Sequence, residues 1–232
     1  MRRAIRFALV AGSLVALGAA DVSAEATRYG AGVFFDRSVP VLGLGDRYDA
    51  SQKFGFVFDY KLSSRATLEF EYHHAGMSEG KIETASFTWG VDGEKYASPE
   101  AQSSFNLNSF LMNALVRLGE EPKHEGLDLI PYVSVGAGFY DYQDEISGLI
   151  YPGQRIEPLD ADLLLDPQRD DHTSIGANLG LGMTVTQGAY GLDLRARYHL
   201  IMGDLRSKEA WGLKSVFPIG LVDVRTAFKI YF

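Results

Sequence analysis

The residues best spaced for chemistry lie between Glu69 and Ser78. There the run Glu69-Phe70-Glu71-Tyr72-His73-His74-Ala75-Gly76-Met77-Ser78 supplies two carboxylates, two imidazoles and a hydroxyl. In an extended strand, residues two apart share a face. Glu69, Glu71 and His73 therefore face one way, the Glu69 and Glu71 pair fit for acid and base work, and His74, Gly76 and Ser78 face the other. On that second face His74 could activate a hydroxyl, but Ser78 lies about 13 Å further along an extended chain. A nucleophile and its base need a hydrogen bond of roughly 3 Å, so only a turn at Gly76 would close the gap. A second charged run, Asp193, Arg195, Arg197 and His199, alternates with Leu192, Leu194, Ala196, Tyr198 and Leu200. With Arg225 it offers Glu69 and Glu71 plain ion-pair partners, which is the favoured reading of both runs.

A third feature is the acidic stretch from Asp141 to Asp171. It carries nine carboxylates (Asp141, Asp144, Glu145, Glu157, Asp160, Asp162, Asp166, Asp170, Asp171) against Arg155 and Arg169. Carboxylates bind hard cations, and a divalent ion could bridge such a stretch to anionic lipid headgroups. Yet Asp160-Ala161-Asp162 followed by Leu163-Leu164-Leu165 lacks the Gly and closing Glu of an EF-hand loop, so no metal site is expected. The plain reading is a solvated acidic loop. In a second reading, Leu159, Leu163, Leu164 and Leu165 pack as a lid. Without cysteine, disulfides, thiolate metal sites and cysteine nucleophiles are excluded. The net charge of −8 argues against nucleic acid, which needs a basic face.

The elements that must position these residues begin after an exported leader. Arg2, Arg3 and Arg6 precede an apolar run from Phe7 to Ala20 that ends in Val22-Ser23-Ala24. This reads as a cleavable signal peptide over residues 1–24, with cleavage after Ala20 as the second choice; the run is too short for a comfortable anchor helix. Cleavage takes away three arginines and Asp21, so the remaining 208 residues, 25–232, carry −10. No later stretch approaches the ~18 apolar residues of a spanning helix. Membrane crossing would have to be by strands, which need about 9 to 11 residues and show only period-two alternation.

Four segments alternate strongly: 53–62, 65–74, 190–200 and 217–232. In the first, Phe54, Phe56, Phe58, Tyr60 and Leu62 oppose Lys53, Val57, Asp59 and Lys61. In the last, Val222, Val224, Thr226, Phe228, Ile230 and Phe232 oppose Asp223, Arg225 and Lys229. Four weaker segments, 29–35, 109–118, 132–140 and 174–185, bring the total to eight. A soluble sandwich or lipocalin-like barrel also alternates. Against it stand polar faces charged in both signs and aromatics at strand ends, Tyr60, Tyr72, Tyr198 and Tyr231. Short connections at 62–64, 119–126 and 186–189 alternate with long ones at 36–52, 75–106, 141–172 and 203–216, as in a meander with periplasmic turns and extracellular loops. The expected fold is an all-β, eight-stranded antiparallel up-and-down transmembrane β-barrel. Its lumen would hold Lys53, Asp59, Lys61, Arg65, Glu69, Glu71, Arg117, Asp193, Arg195, Arg197, Asp223, Arg225 and Lys229. An eight-stranded interior has room for little beyond side chains, and unpaired charges there are costly. A plugged lumen follows.

The Phe232 end with Val222, Val224, Phe228 and Ile230, and the Gly-rich strands Pro131 to Phe139 and Gly176 to Gly182, resemble the small outer-membrane β-barrel superfamily. That superfamily includes the outer-membrane protein A transmembrane domain and opacity-type surface proteins. The resemblance implies an integral protein of the cell outer membrane, in contact with outer-membrane lipids and lipopolysaccharide. It also implies Val224, Phe228, Ile230 and Phe232 as an assembly signal for the barrel-assembly machinery and periplasmic chaperones. Some small barrels of this kind modify lipid A, but the deacylases carry Ser two residues after the His, where this chain has Gly76. The expected function is therefore a non-enzymatic, structural or surface-interacting barrel without a cofactor. A narrow porin-like channel for small solutes is the alternative and lipid A modification a more distant one. The external ligand is not legible in the loops.

Overall fold

The structure, a computed structural model, describes residues 28–119 and 127–232. The signal-peptide reading and most of the 119–126 connection fall outside the described residues. Eight strands close into one antiparallel barrel: β1 (Tyr29–Val41), β2 (Ser51–Lys61), β3 (Ala66–Ser78), β6 (Gln102–Arg117), β7 (Asp128–Ser147), β8 (Gln168–Gln187), β9 (Tyr190–Ile201) and β10 (Ile219–Tyr231). Each pairs with its neighbours in sequence, and β10 closes on β1 from Gly30↔Tyr231 to Val41↔Gly220. Closure leaves no open sheet edge, the condition for backbone to cross lipid without unpaired amides. Two short strands, β4 (Ser86–Thr88) and β5 (Lys95–Ala97), form a separate hairpin in the β3–β6 connection. No helix among the described residues is long and apolar enough to cross a membrane.

The outward faces form an apolar belt, with Phe56, Phe58, Phe70, Phe110, Phe139, Leu181, Leu194 and Phe228 all exposed. At the end with the short turns, Tyr29 packs against Tyr60 and Phe232 at ring separations of 5.5 and 6.3 Å. That cluster sits where an interfacial aromatic girdle is expected.

Several expectations need correction. The strands run further outward than the alternation did: β1 continues six residues past 35, and β7 and β8 extend to Ser147 and from Gln168. Outside lipid nothing demands an apolar outward face, so the pattern fades while the ladder continues. Asp141, Asp144, Glu145, Asp170 and Asp171 are consequently strand residues, and the acidic loop shrinks to 148–167. Tyr231 is not on the lipid face: Gly30 and Gly191 lie beneath its ring inside the barrel. β6 is apolar on both faces, with Phe105, Leu107, Leu111 and Leu115 buried inside and Phe110, Met112 and Val116 exposed outside.

Phe105, Leu107 and Leu111 of β6 belong to a buried apolar layer with Leu44, Met77, Tyr140, Tyr142, Ile201 and Leu221 in the extracellular half of the lumen. Above it the long connections pack on one another. Ile82, Phe87, Trp89, Ile146, Leu149, Ile150 and Trp211 form a second buried cluster, with Leu159 and Leu165 against it. Of the four candidate lid leucines, those two join this cap, whereas Leu163 and Leu164 remain exposed.

Candidate functional site

The inward faces of β1, β2, β3, β9 and β10 converge in the periplasmic half of the lumen. Arg195 forms a two-pronged pair with Glu69, Nη1 donating to Oε1 at 2.7 Å and Nη2 to Oε2 at 2.8 Å. One step outward on the same two strands, Arg197 grips Glu71 in the same way, both bonds at 2.7 Å. The repeat follows from the alternation: Glu69 and Glu71, and Arg195 and Arg197, are two residues apart and so share a face. Arg225 donates to Glu71 Oε1 at 2.5 Å and to Asp36 Oδ1 at 3.1 Å, with its guanidinium carbon 3.5 Å from the centre of the Phe34 ring. Lys229 bridges Asp59 at 2.7 Å and Glu69 at 2.9 Å. Lys53 pairs with Asp36 at 3.2 Å and with Asp223.

Neutral groups complete the cluster. Asn113 donates to Glu69 at 3.1 Å and Glu71 at 3.2 Å, and accepts from Asn178 at 3.0 Å. Tyr132 donates to Asp193 at 2.6 Å and accepts from Arg195 Nε at 2.7 Å. His73 Nδ1 lies 2.7 Å from Glu71, and His199 Nε2 lies 2.7 Å from Asp223. Every carboxylate and cation in this set is almost fully buried. Geometry of this kind suits charge neutralisation: bidentate Arg–carboxylate pairs satisfy both partners at once.

Of the thirteen residues expected in the lumen, Lys53, Asp59, Glu69, Glu71, Asp193, Arg195, Arg197, Asp223, Arg225 and Lys229 are brought together here. Lys61, Arg65 and Arg117 are not. They stand beside the short-turn mouth, Arg65 exposed and the other two half-buried, because the strands reach water one residue earlier than the alternation suggested. Sequence reasoning missed Asp36, which it placed in a loop, and Asn113, Tyr132 and Asn178, which carry no charge to mark them. With Asp36 counted, this cluster holds five cations and six carboxylates, rather than a basic excess.

The remaining candidates separate. His74 faces outward with Nδ1 3.0 Å from Asn108 Oδ1, and β3 stays extended through Ser78↔Ser104. No turn at Gly76 brings Ser78 back to His74. Val224, Phe228, Ile230 and Phe232 are all exposed at the β10 end. Among the described residues no group of three or more His, Asp or Glu is placed to hold a metal ion. Asp144 and Asp170 instead tie the cap: Tyr48 donates to Asp144 at 2.5 Å and Arg206 Nε to Asp170 at 2.5 Å. Burial, with Asp144 beside it, pushes the Tyr48 phenol well above its ordinary value.

A closed antiparallel barrel with an apolar belt outside and paired charges inside defines a class, the integral outer-membrane β-barrel. No known protein-family model and no curated protein sequence matches the chain. Among solved structures it is similar to Neisserial surface protein A, with 12% identity, a TM-score of 0.48, and 88% of this chain and 97% of that one covered. It is also similar to a major outer membrane protein of Thermus thermophilus (10%, TM-score 0.46, 88% and 99%). A third is outer membrane protein OprG of Pseudomonas aeruginosa (12%, TM-score 0.45, 90% and 98%). The likeness is one of architecture.

Proposed function

We propose that this protein is a non-enzymatic outer-membrane barrel that presents a folded extracellular cap on a lumen closed to solutes. The observation that carries the reading is the succession of filled layers. The Glu69–Arg195 and Glu71–Arg197 pairs occupy the periplasmic half, the apolar layer around Leu107 and Tyr140 lies above them, and the Trp89 and Trp211 cluster tops the barrel. Opening a path would strip two-pronged pairs of their partners in a low-dielectric interior, at several kcal/mol per unpaired ion. The cap supports a role at the cell surface, in contact with lipopolysaccharide, because its loops are folded on a core of their own. The outward residues Val224, Phe228, Ile230 and Phe232 support reading the last strand as the signal for assembly factors. The test is single-channel recording of purified protein in planar bilayers. Silence under an applied voltage is expected, and discrete, reproducible openings would overturn the closed lumen in favour of restricted solute passage.

A further inference from the structure

The apolar belt is not uniform. On β6, β7 and β8 the opposed residues Met112, Ala137 and Ala177 form a row that shrinks to methyl groups. Phe110, Phe139 and Ile175 form the row above it. The result is a trough of about 930 Å³ on the lipid-facing surface, reaching from Phe58 and Phe70 to Met202 beyond the end of β9. Its size is that of a ligand site. Two residues further out on the same strands the belt ends in a polar row, His74, Asn108, Asp141 and Thr173. There Tyr72 donates to Asn108 at 3.3 Å, His74 Nδ1 lies 3.0 Å from the same oxygen, and Thr173 donates to Asp141 at 2.9 Å.

We propose that this trough is a binding site for an acyl chain of the outer leaflet's glycolipid, its sugar and amide groups resting on the polar row. The trough is continuous with the lipid-facing belt and leads up to the extracellular interface, so an outer-leaflet lipid meets it first. A flexible chain fills an irregular apolar channel, whereas the belt of a second barrel would need a ridge matched to it. The hydroxyls of Tyr72 and Thr173 and the Asn108 amide around a single carboxylate suit hydroxyl and amide partners better than phosphate. The inference rests on the outer-membrane placement and not on the closed lumen, so a conducting barrel would leave it intact.

Native mass spectrometry of protein purified from membranes in a mild non-ionic detergent tests it. One retained glycolipid of the lipid A class is expected. Ala137→Phe with Ala177→Leu fills the trough floor and lowers that occupancy at least tenfold, while Leu181→Phe, elsewhere on the belt, does not. Unchanged occupancy in the filled variant, a phospholipid as the retained species, or a second copy of the chain in its place each overturns the proposal. Should the filled variant fail to fold, a photo-reactive phenylalanine at position 139 or 224 is irradiated with added purified lipid A. Labelling from 139 alone supports the site, and equal labelling from both positions defeats it.

Discussion

Glu71 is the most heavily engaged side chain of the lumen, meeting Arg197, Arg225, His73 and Asn113 at once. Replacing it by Gln keeps the shape and removes the charge, leaving two buried guanidinium groups short of a counter-ion. Breaking a buried pair in this way costs about 3–5 kcal/mol. E71Q should therefore unfold from lipid vesicles at clearly lower urea than the parent. Removing the Arg197 partner as well, with R197M, should recover part of the loss; a double variant weaker than E71Q by the full cost of a second lesion would refute the pairing argument. At this scale much was legible, because a charge that alternates with leucine announces its face. What was not legible were the neutral partners, since Asn113 and Tyr132 look like ordinary strand residues until the barrel closes around them.

The strands and loops carry their own consequences. On β8 the inward positions are small because large rings from β7 lie over them: a Cβ at Gly176 would stand 2.7 Å from Tyr140 Cε2 and 2.8 Å from the Leu200 carbonyl oxygen. Gly176→Val should force Tyr140 away from His199, its partner at 2.8 Å, and destabilise the barrel by about 1–3 kcal/mol. A urea midpoint equal to that of the parent would show that the ring is free to move. In the cap, Trp211 packs edge-on to Phe87 at 5.7 Å. Trp211→Ala removes a large buried ring, a loss of about 3–5 kcal/mol in a well-packed core. The loops should then be cut by external protease while the barrel keeps its heat-dependent mobility on gels. Simultaneous loss of both would mean that cap and barrel fold as one unit. The cap was only half legible: leucines in the 141–171 stretch suggested a lid, but their partners Ile82, Phe87 and Trp211 come from two other connections.

For the whole molecule, the lumen layers make separable claims. Replacing residues 148–167 by a short linker opens the cap and leaves the paired interior of β3, β9 and β10 untouched, so bilayer recordings should stay silent. Channels appearing on that change would place the barrier in the loops rather than in the Glu69–Arg195 and Glu71–Arg197 layers.

The sequence by itself determined the eight crossings, their faces and the order of short turns and long loops, because lipid imposes a period of two on every strand that crosses it. It also determined that Val224, Phe228, Ile230 and Phe232 share the outward face, whereas closure of the barrel brought Phe232 beside Tyr29. Only the tertiary structure decided which charge meets which, since Glu69 and Arg195 are 126 residues apart and their meeting depends on register around a closed ladder. The tertiary structure likewise decided that the outer half of the lumen is apolar, that Lys61, Arg65 and Arg117 belong to the mouth, and that two alanines on neighbouring strands hollow the belt. None of these is a property of one strand. Each arises from side chains that closure brings side by side.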